Sequence, residues 1–134
     1  MDNEIFKITP DKIRAEDLFI IANERLNDII KVLPKDKSYK ILEEYYEAIL
    51  ELITALMYVD GYKTLSHVKA IEYLSKNYSV LSDFQLGLID NLRKIRHGIV
   101  YYGRKVSQDF LINNQEEILI IANIINKLLK FKLR

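Results

Sequence analysis

The chain has 134 residues, 49% of them hydrophobic and 29% charged, with a formal net charge of +1. This balance fits one globular domain, large enough to bury about two thirds of its unfolded surface, and excludes a disordered chain. Without cysteine there are no disulfides, no thiol catalysis and no Cys-based zinc sites.

The opening "MDNEIFKITPDK" is acidic and lacks an apolar run, so no signal peptide is expected. No uncharged stretch approaches the roughly 20 apolar residues of a membrane span. A cytoplasmic protein with no membrane partner is the expectation. Four glycines and two prolines leave few places for turns, which favours long helices over many strands.

"TPDKIRAEDLFIIANERLNDIIKVLP" opens with a helix-start signal: Thr9 to cap, Pro10 at the first helical position and Asp11 at the positive dipole end. Ile13, Leu18, Ile21, Leu26 and Ile29 recur at near-helical spacing until Pro34. "SYKILEEYYEAILELITALMYVDG" reads as a second helix ending at Asp60, with Gly61 as a left-handed cap. Its apolar residues, Ile41, Leu42, Tyr45, Ile49, Leu52, Ile53, Leu56 and Met57, cover so much of the circumference that the helix is central or lies at a subunit interface.

"TLSHVKAIEYLSKNYS" is a shorter third helix, capped by Thr64 or Ser66. "SDFQLGLIDNLRKIRHGIVYYG" is a fourth, with Ser82 as cap and Gly103 as terminator, and a fifth runs from near Ser107 to the end. No segment shows sustained strand alternation, and the short connections predict an all-α, up-and-down bundle of four to five helices over residues 1–134.

The fourth helix carries "RKIRHGIVYYGRK", with five basic side chains, a histidine and two tyrosines. At about 100° per residue, Phe84, Leu88, Leu92, Ile95, Ile99 and Tyr102 gather into one apolar sector. Arg93, His97 and Tyr101 line up with Asp90 on the polar side. Arg96 falls at the shoulder of the apolar stripe, where a guanidinium snorkels to water or needs a carboxylate or a bound phosphate. Glu43 and Glu44 are candidate partners across the bundle. His97 by itself reads as a solvated side chain, and His67 as part of a helix start.

The arrangement of Arg96, a polar residue, three residues and an aromatic pair, late in a penultimate helix, resembles the HEPN family, as do the helix order and "EYYEAILELITALMYVDGYKTLSHVKAIEYL". The resemblance implies an RNA- or nucleotide-binding bundle, a homodimer in which the Arg-bearing helices meet across a two-fold axis, and a nucleotidyltransferase as partner or antitoxin. Family ribonucleases cut RNA without metal, the motif His exchanging protons with the ribose hydroxyl or leaving group while the Arg steadies the phosphate. Carried over, the family Arg is Arg96 and the following polar residue His97, but Tyr101, Tyr102 and Gly103 stand where the His belongs. An imidazole with an ordinary pKa near 6.5 suits that exchange, whereas a phenol with a pKa of about 10 is ionised only about one part in a thousand at pH 7.

The candidate catalytic residues are therefore Arg96, His97, Tyr101 and Tyr102, and the candidate phosphate or RNA contacts are Arg93, Arg96, Arg104 and Lys105. Tyr101 and Tyr102 are also candidates for modification by a nucleotidyltransferase. No metal or cofactor is expected: the Glu-x-x-His motif of di-iron bundles is missing, because Thr64 and Lys94 stand three residues before His67 and His97. Three functions follow: a binding module, as a catalytically degenerate ribonuclease or toxin component; an active metal-independent endoribonuclease; and a structural dimerisation or interaction bundle.

Overall fold

Five helices and a short two-stranded ribbon make up residues 4–134, the part of the chain that the computed structural model describes; Met1, Asp2 and Asn3 of the acidic opening lie outside the described residues. Helix α1 starts as Lys12–Glu24, passes through a π-helical turn, Arg25–Ile29, and closes with one α-turn, Ile30–Val32. Asp11 caps it rather than Thr9, its carboxylate accepting from Arg14 N at 3.0 Å. Hydrogen bonds from Ile8 N to Gly61 O and from Asp11 N to Tyr58 O hold the preceding residues extended, out of the helix.

The apolar residues of α1 are spread around its axis, so they cannot all face the bundle. Ala15 and Ala22 are fully buried with Leu18, Phe19 and Leu26 beside them, while Ile13, Ile21 and Ile29 come out on the surface. Small side chains on the inner stripe let α1 lie close to its neighbour.

That neighbour is α2, Ser38–Asp60, the central helix. All eight apolar residues picked from its sequence are buried. Arg25, at the π-helical turn, binds across to Glu44 at 2.6 Å and to Glu51 at 2.9 Å. Gly61 ends α2 with φ of 91°, and a Cβ there would sit 3.0 Å from Ile8 O, so glycine is required twice over.

From Gly61 the chain turns into strand β2, Tyr62–Thr64, which pairs antiparallel with β1, Ile5–Lys7. Three-residue strands are too short to leave an alternation in the sequence. The ribbon leads the chain back along α2 before α3, His67–Asn77, begins, and Ser66 caps that helix through Lys69 N. Helix α4, Asp83–Tyr102, starts with a reciprocal capping box between Ser82 and Gln85 and stops at Gly103, φ 60°. Leu88, Ile89 and Leu92 are its buried core contacts; Phe84 and Tyr102, expected on the apolar face, lie at its two ends and are exposed. Helix α5, Gln108–Lys132, buries Leu111, Ile118, Ile121, Ala122, Ile125 and Leu129. The chain thus forms the expected all-α bundle, with the small ribbon added.

One polar node ties three helices together at the end of α2. Asp60 accepts hydrogen bonds from Tyr73 and Tyr78, both at 2.6 Å, and pairs with Lys132 at 2.6 Å. Burial alone would raise the Asp60 pKa, but these three donors outweigh it and hold the carboxyl below the usual carboxylate range. Among the described residues no helix is long and apolar enough to cross a membrane.

Candidate functional site

Arg96 lies where the wheel put it, at the edge of the core, and its partner is Glu47 rather than Glu43 or Glu44. Arg96 Nε stands 2.7 Å from Glu47 Oε1. The contact is an ion pair without an aligned hydrogen bond, for Glu47 Oε1 is buried and receives none. Glu44 is taken by Arg25, and Glu43 faces Lys40 at 4.0 Å. The shortest contact of the pair runs through the Nε of the guanidinium. Its terminal amino groups reach no acceptor among the described residues, and the side chain remains partly exposed.

Behind Arg96 stands a second pair that the sequence did not reveal. Tyr46 Oη lies 3.0 Å from His67 Nδ1, and the Arg96 guanidinium carbon is 6.0 Å from the Tyr46 ring centroid. Burial pushes the Tyr46 hydroxyl up to about 12, against the pull of Arg93 and Arg96. Burial and then Arg96 push His67 below the ordinary histidine value, so at neutral pH it is uncharged. A protonated phenol and a neutral imidazole can each be the donor here, so the His67 tautomer decides whether the oxygen or the nitrogen carries the shared hydrogen. His67 thus lies in the field of Arg96 and Arg93.

The other candidate residues lie further round α4. Arg93 pairs with Asp90 at 2.9 Å, and Lys94 shares that carboxylate at 3.3 Å. Burial would raise the Asp90 pKa, but hydrogen bonds from Arg93 and Lys94 prevail and lower it. His97 sits on the outer face with its ring 4.6 Å from Tyr101 and 5.8 Å from Tyr102. The two tyrosines are 66% and 65% exposed. Arg104 folds back over Gly98 and lays its guanidinium 5.1 Å from the Tyr102 ring centroid. Arg104, Lys105 and Lys94 border a hollow of about 260 Å³ floored by Ile95, Val106 and Phe110. Neither Arg104 nor Lys105 pairs with any described carboxylate.

The structure brings Arg93 and Arg96 together on one side of α4, joins His97, Tyr101, Tyr102 and Arg104 in a second group, and sets Lys105 beside Arg104 at the hollow. It does not place His97 against Arg96 within one chain as a proton-transfer pair, since the imidazole stacks outward on the tyrosines. Sequence reasoning missed Tyr46, Glu47 and His67. A signal for Glu47 existed: a carboxylate on a helix apolar nearly all round must meet a cation. No group of three or more His, Asp or Glu side chains among the described residues is arranged to hold a metal ion. No family model, no curated protein and no solved structure matches the chain.

Proposed function

We propose that this bundle binds single-stranded RNA, or a nucleotide as its smallest piece, along the exposed side of α4, without cutting it. The observation that carries the proposal is a set of exposed rings next to unneutralised cations: His97, Tyr101 and Tyr102, with Arg104 over Tyr102 and Lys105 beside Arg104 at the hollow. Bases stack on exposed aromatics at about 1–3 kcal/mol each, and basic groups track the backbone between them. Arg96 supplies a phosphate contact through its terminal amino groups, with Arg93 adding positive charge on the same side of α4. The hollow beside Arg104 and Lys105 takes a neighbouring phosphate. This is the ligand class implied by the HEPN resemblance, and the same resemblance supports a homodimer, with a nucleotidyltransferase as partner.

Binding is favoured over catalysis because the motif position holds Tyr101 and Tyr102 instead of a histidine and His97 turns outward onto those rings, away from Arg96. A ribonuclease reading keeps one supporting observation, the neutral imidazole close to Arg96. Incubating labelled RNA with the protein in EDTA separates the two: binding without cleavage products at high protein concentration supports the proposal, and products that vanish in His67→Ala support the nuclease.

A further inference from the structure

We propose a second, separate ligand site, for a medium-chain monocarboxylate, in the cavity where α1, α2 and α5 meet. The cavity measures about 850 Å³ and is lined by Leu26 and Ile30 of α1, Ile41 of α2, and Leu111 and Leu119 of α5. Its size falls in the usual range of ligand pockets, about 300–1,000 Å³. A purely apolar walled space would fit many occupants, so the polar groups at one end decide the class.

Ser38 opens α2 at that end. The residue borders the cavity and is only 2% exposed, and its closed-in Oγ has no hydrogen-bond partner. A buried hydroxyl left unpaired is costly, and a ligand oxygen would relieve it. The same helix end is otherwise uncapped: Lys37 offers no side-chain bond, and the backbone N–H groups of Ser38 and Tyr39 meet no acceptor among the described residues. Free N–H groups and the positive end of a 23-residue helix favour an anion.

Charge at the mouth agrees. Lys31 and Lys35 line the cavity against a single acid, Asp36, and neither lysine is ion-paired within the described residues. Deeper in, Tyr45 Oη accepts from Gln115 Nε2 at 2.9 Å, leaving its own hydrogen to donate. One anionic head on a long apolar body matches this layout: the carboxylate sits at Ser38 and the start of α2, and the alkyl tail runs between α1 and α5. A phosphate or nucleotide would leave the apolar walls uncovered.

The test is a titration of the full-length chain, isotopically labelled, with decanoate, decan-1-ol and acetate, read by backbone amide shifts. Saturable decanoate binding centred on Ser38, Ile41 and Leu111 is expected, weakened about tenfold or more when the carboxylate or the chain is removed from the probe. Ser38→Ala and Lys35→Glu should each weaken decanoate about fivefold while leaving RNA affinity unchanged, and Ser38→Ala should melt at or above the native temperature because it removes an unpaired buried hydroxyl. Three results overturn the proposal: no saturable shift in the folded protein, equal binding of decan-1-ol, or shifts confined to the exposed apolar residues of α1. A protein that self-associates through this cavity, becomes monomeric in Ile112→Arg and ignores decanoate also overturns it, because a second copy is then the occupant.

Discussion

Arg96 and Glu47 face each other across α4 and α2, with Nε of the guanidinium 2.7 Å from the carboxylate. Glu47 thus positions Arg96 and at the same time neutralises it. Glu47→Gln keeps the shape and removes the competing charge, so RNA affinity should rise by about three- to tenfold, as roughly one unit of charge near a surface phosphate implies. A filter-binding comparison at fixed salt checks this. Were Arg96 only a structural partner of Glu47, affinity would stay level.

Gly98 leaves room for Arg104. A Cβ at residue 98 would lie 3.2 Å from Arg104 Cδ, the flexible stem of a long side chain. Gly98→Ala should therefore raise the stability of α4 by up to about 1 kcal/mol through helix propensity while pushing Arg104 off Tyr102. Thermal melting should rise or hold, and RNA affinity should fall. This opposite movement of two readouts is unusual for a buried position and easy to score.

Acidification should weaken the fold through His67. Its folded pKa lies below the unfolded value of about 6.5, so the unfolded chain binds the proton more readily. The contribution is complete above the unfolded pKa and is lost as pH falls through the lower, folded one. Melting temperatures followed from pH 7 down to pH 5 should drop in the native protein and drop less in His67→Gln.

Asp60 gathers Tyr73 of α3, Tyr78 just past the end of that helix, and Lys132 of α5. Asp60→Asn keeps the size but loses the charge that holds these donors, at a cost of about 2 kcal/mol. Chemical denaturation measures it. The sign with pH is that of a depressed carboxylate: stability from Asp60 is present above its unfolded pKa, near 4, and disappears as pH falls through the lower folded value.

Helix order and the central place of α2 were legible from residue spacing, because Ile41, Leu42, Tyr45 and Ile49 leave that helix almost no polar side. Gly61, Ser82 and Gly103 were legible as stops and caps, since their chemistry is local. The first cap was misplaced, from Asp11 to Thr9, because long-range bonds to Tyr58 and Gly61 hold residues 8–10 extended and no local rule carries that information. Phe84 and Tyr102 shared the periodicity of the core yet are exposed, because a wheel records angle and not position along the axis. Arg96 was found as an anomaly on α4, but its partners Glu47, Tyr46 and His67 come from α2 and α3. Only the β2 ribbon, which turns the chain back along α2, brings His67 to Tyr46. Juxtapositions of that kind depend on tertiary geometry.

The most direct measurement of the central claim is a titration of a fluorescent single-stranded RNA dodecamer between 50 and 300 mM salt, with native protein, Arg96→Ala, Tyr101→Ala and the double variant Arg104→Ala, Lys105→Ala, each verified as folded by its melting curve. Binding by the α4 surface predicts an affinity that falls steeply with salt. It predicts a slope shallower by about 1.4 in the double variant, at roughly 0.7 per lost phosphate contact, and a loss of about 1–3 kcal/mol in Tyr101→Ala. Affinity that is absent, insensitive to salt, or unchanged in folded Arg96→Ala would contradict the proposed function.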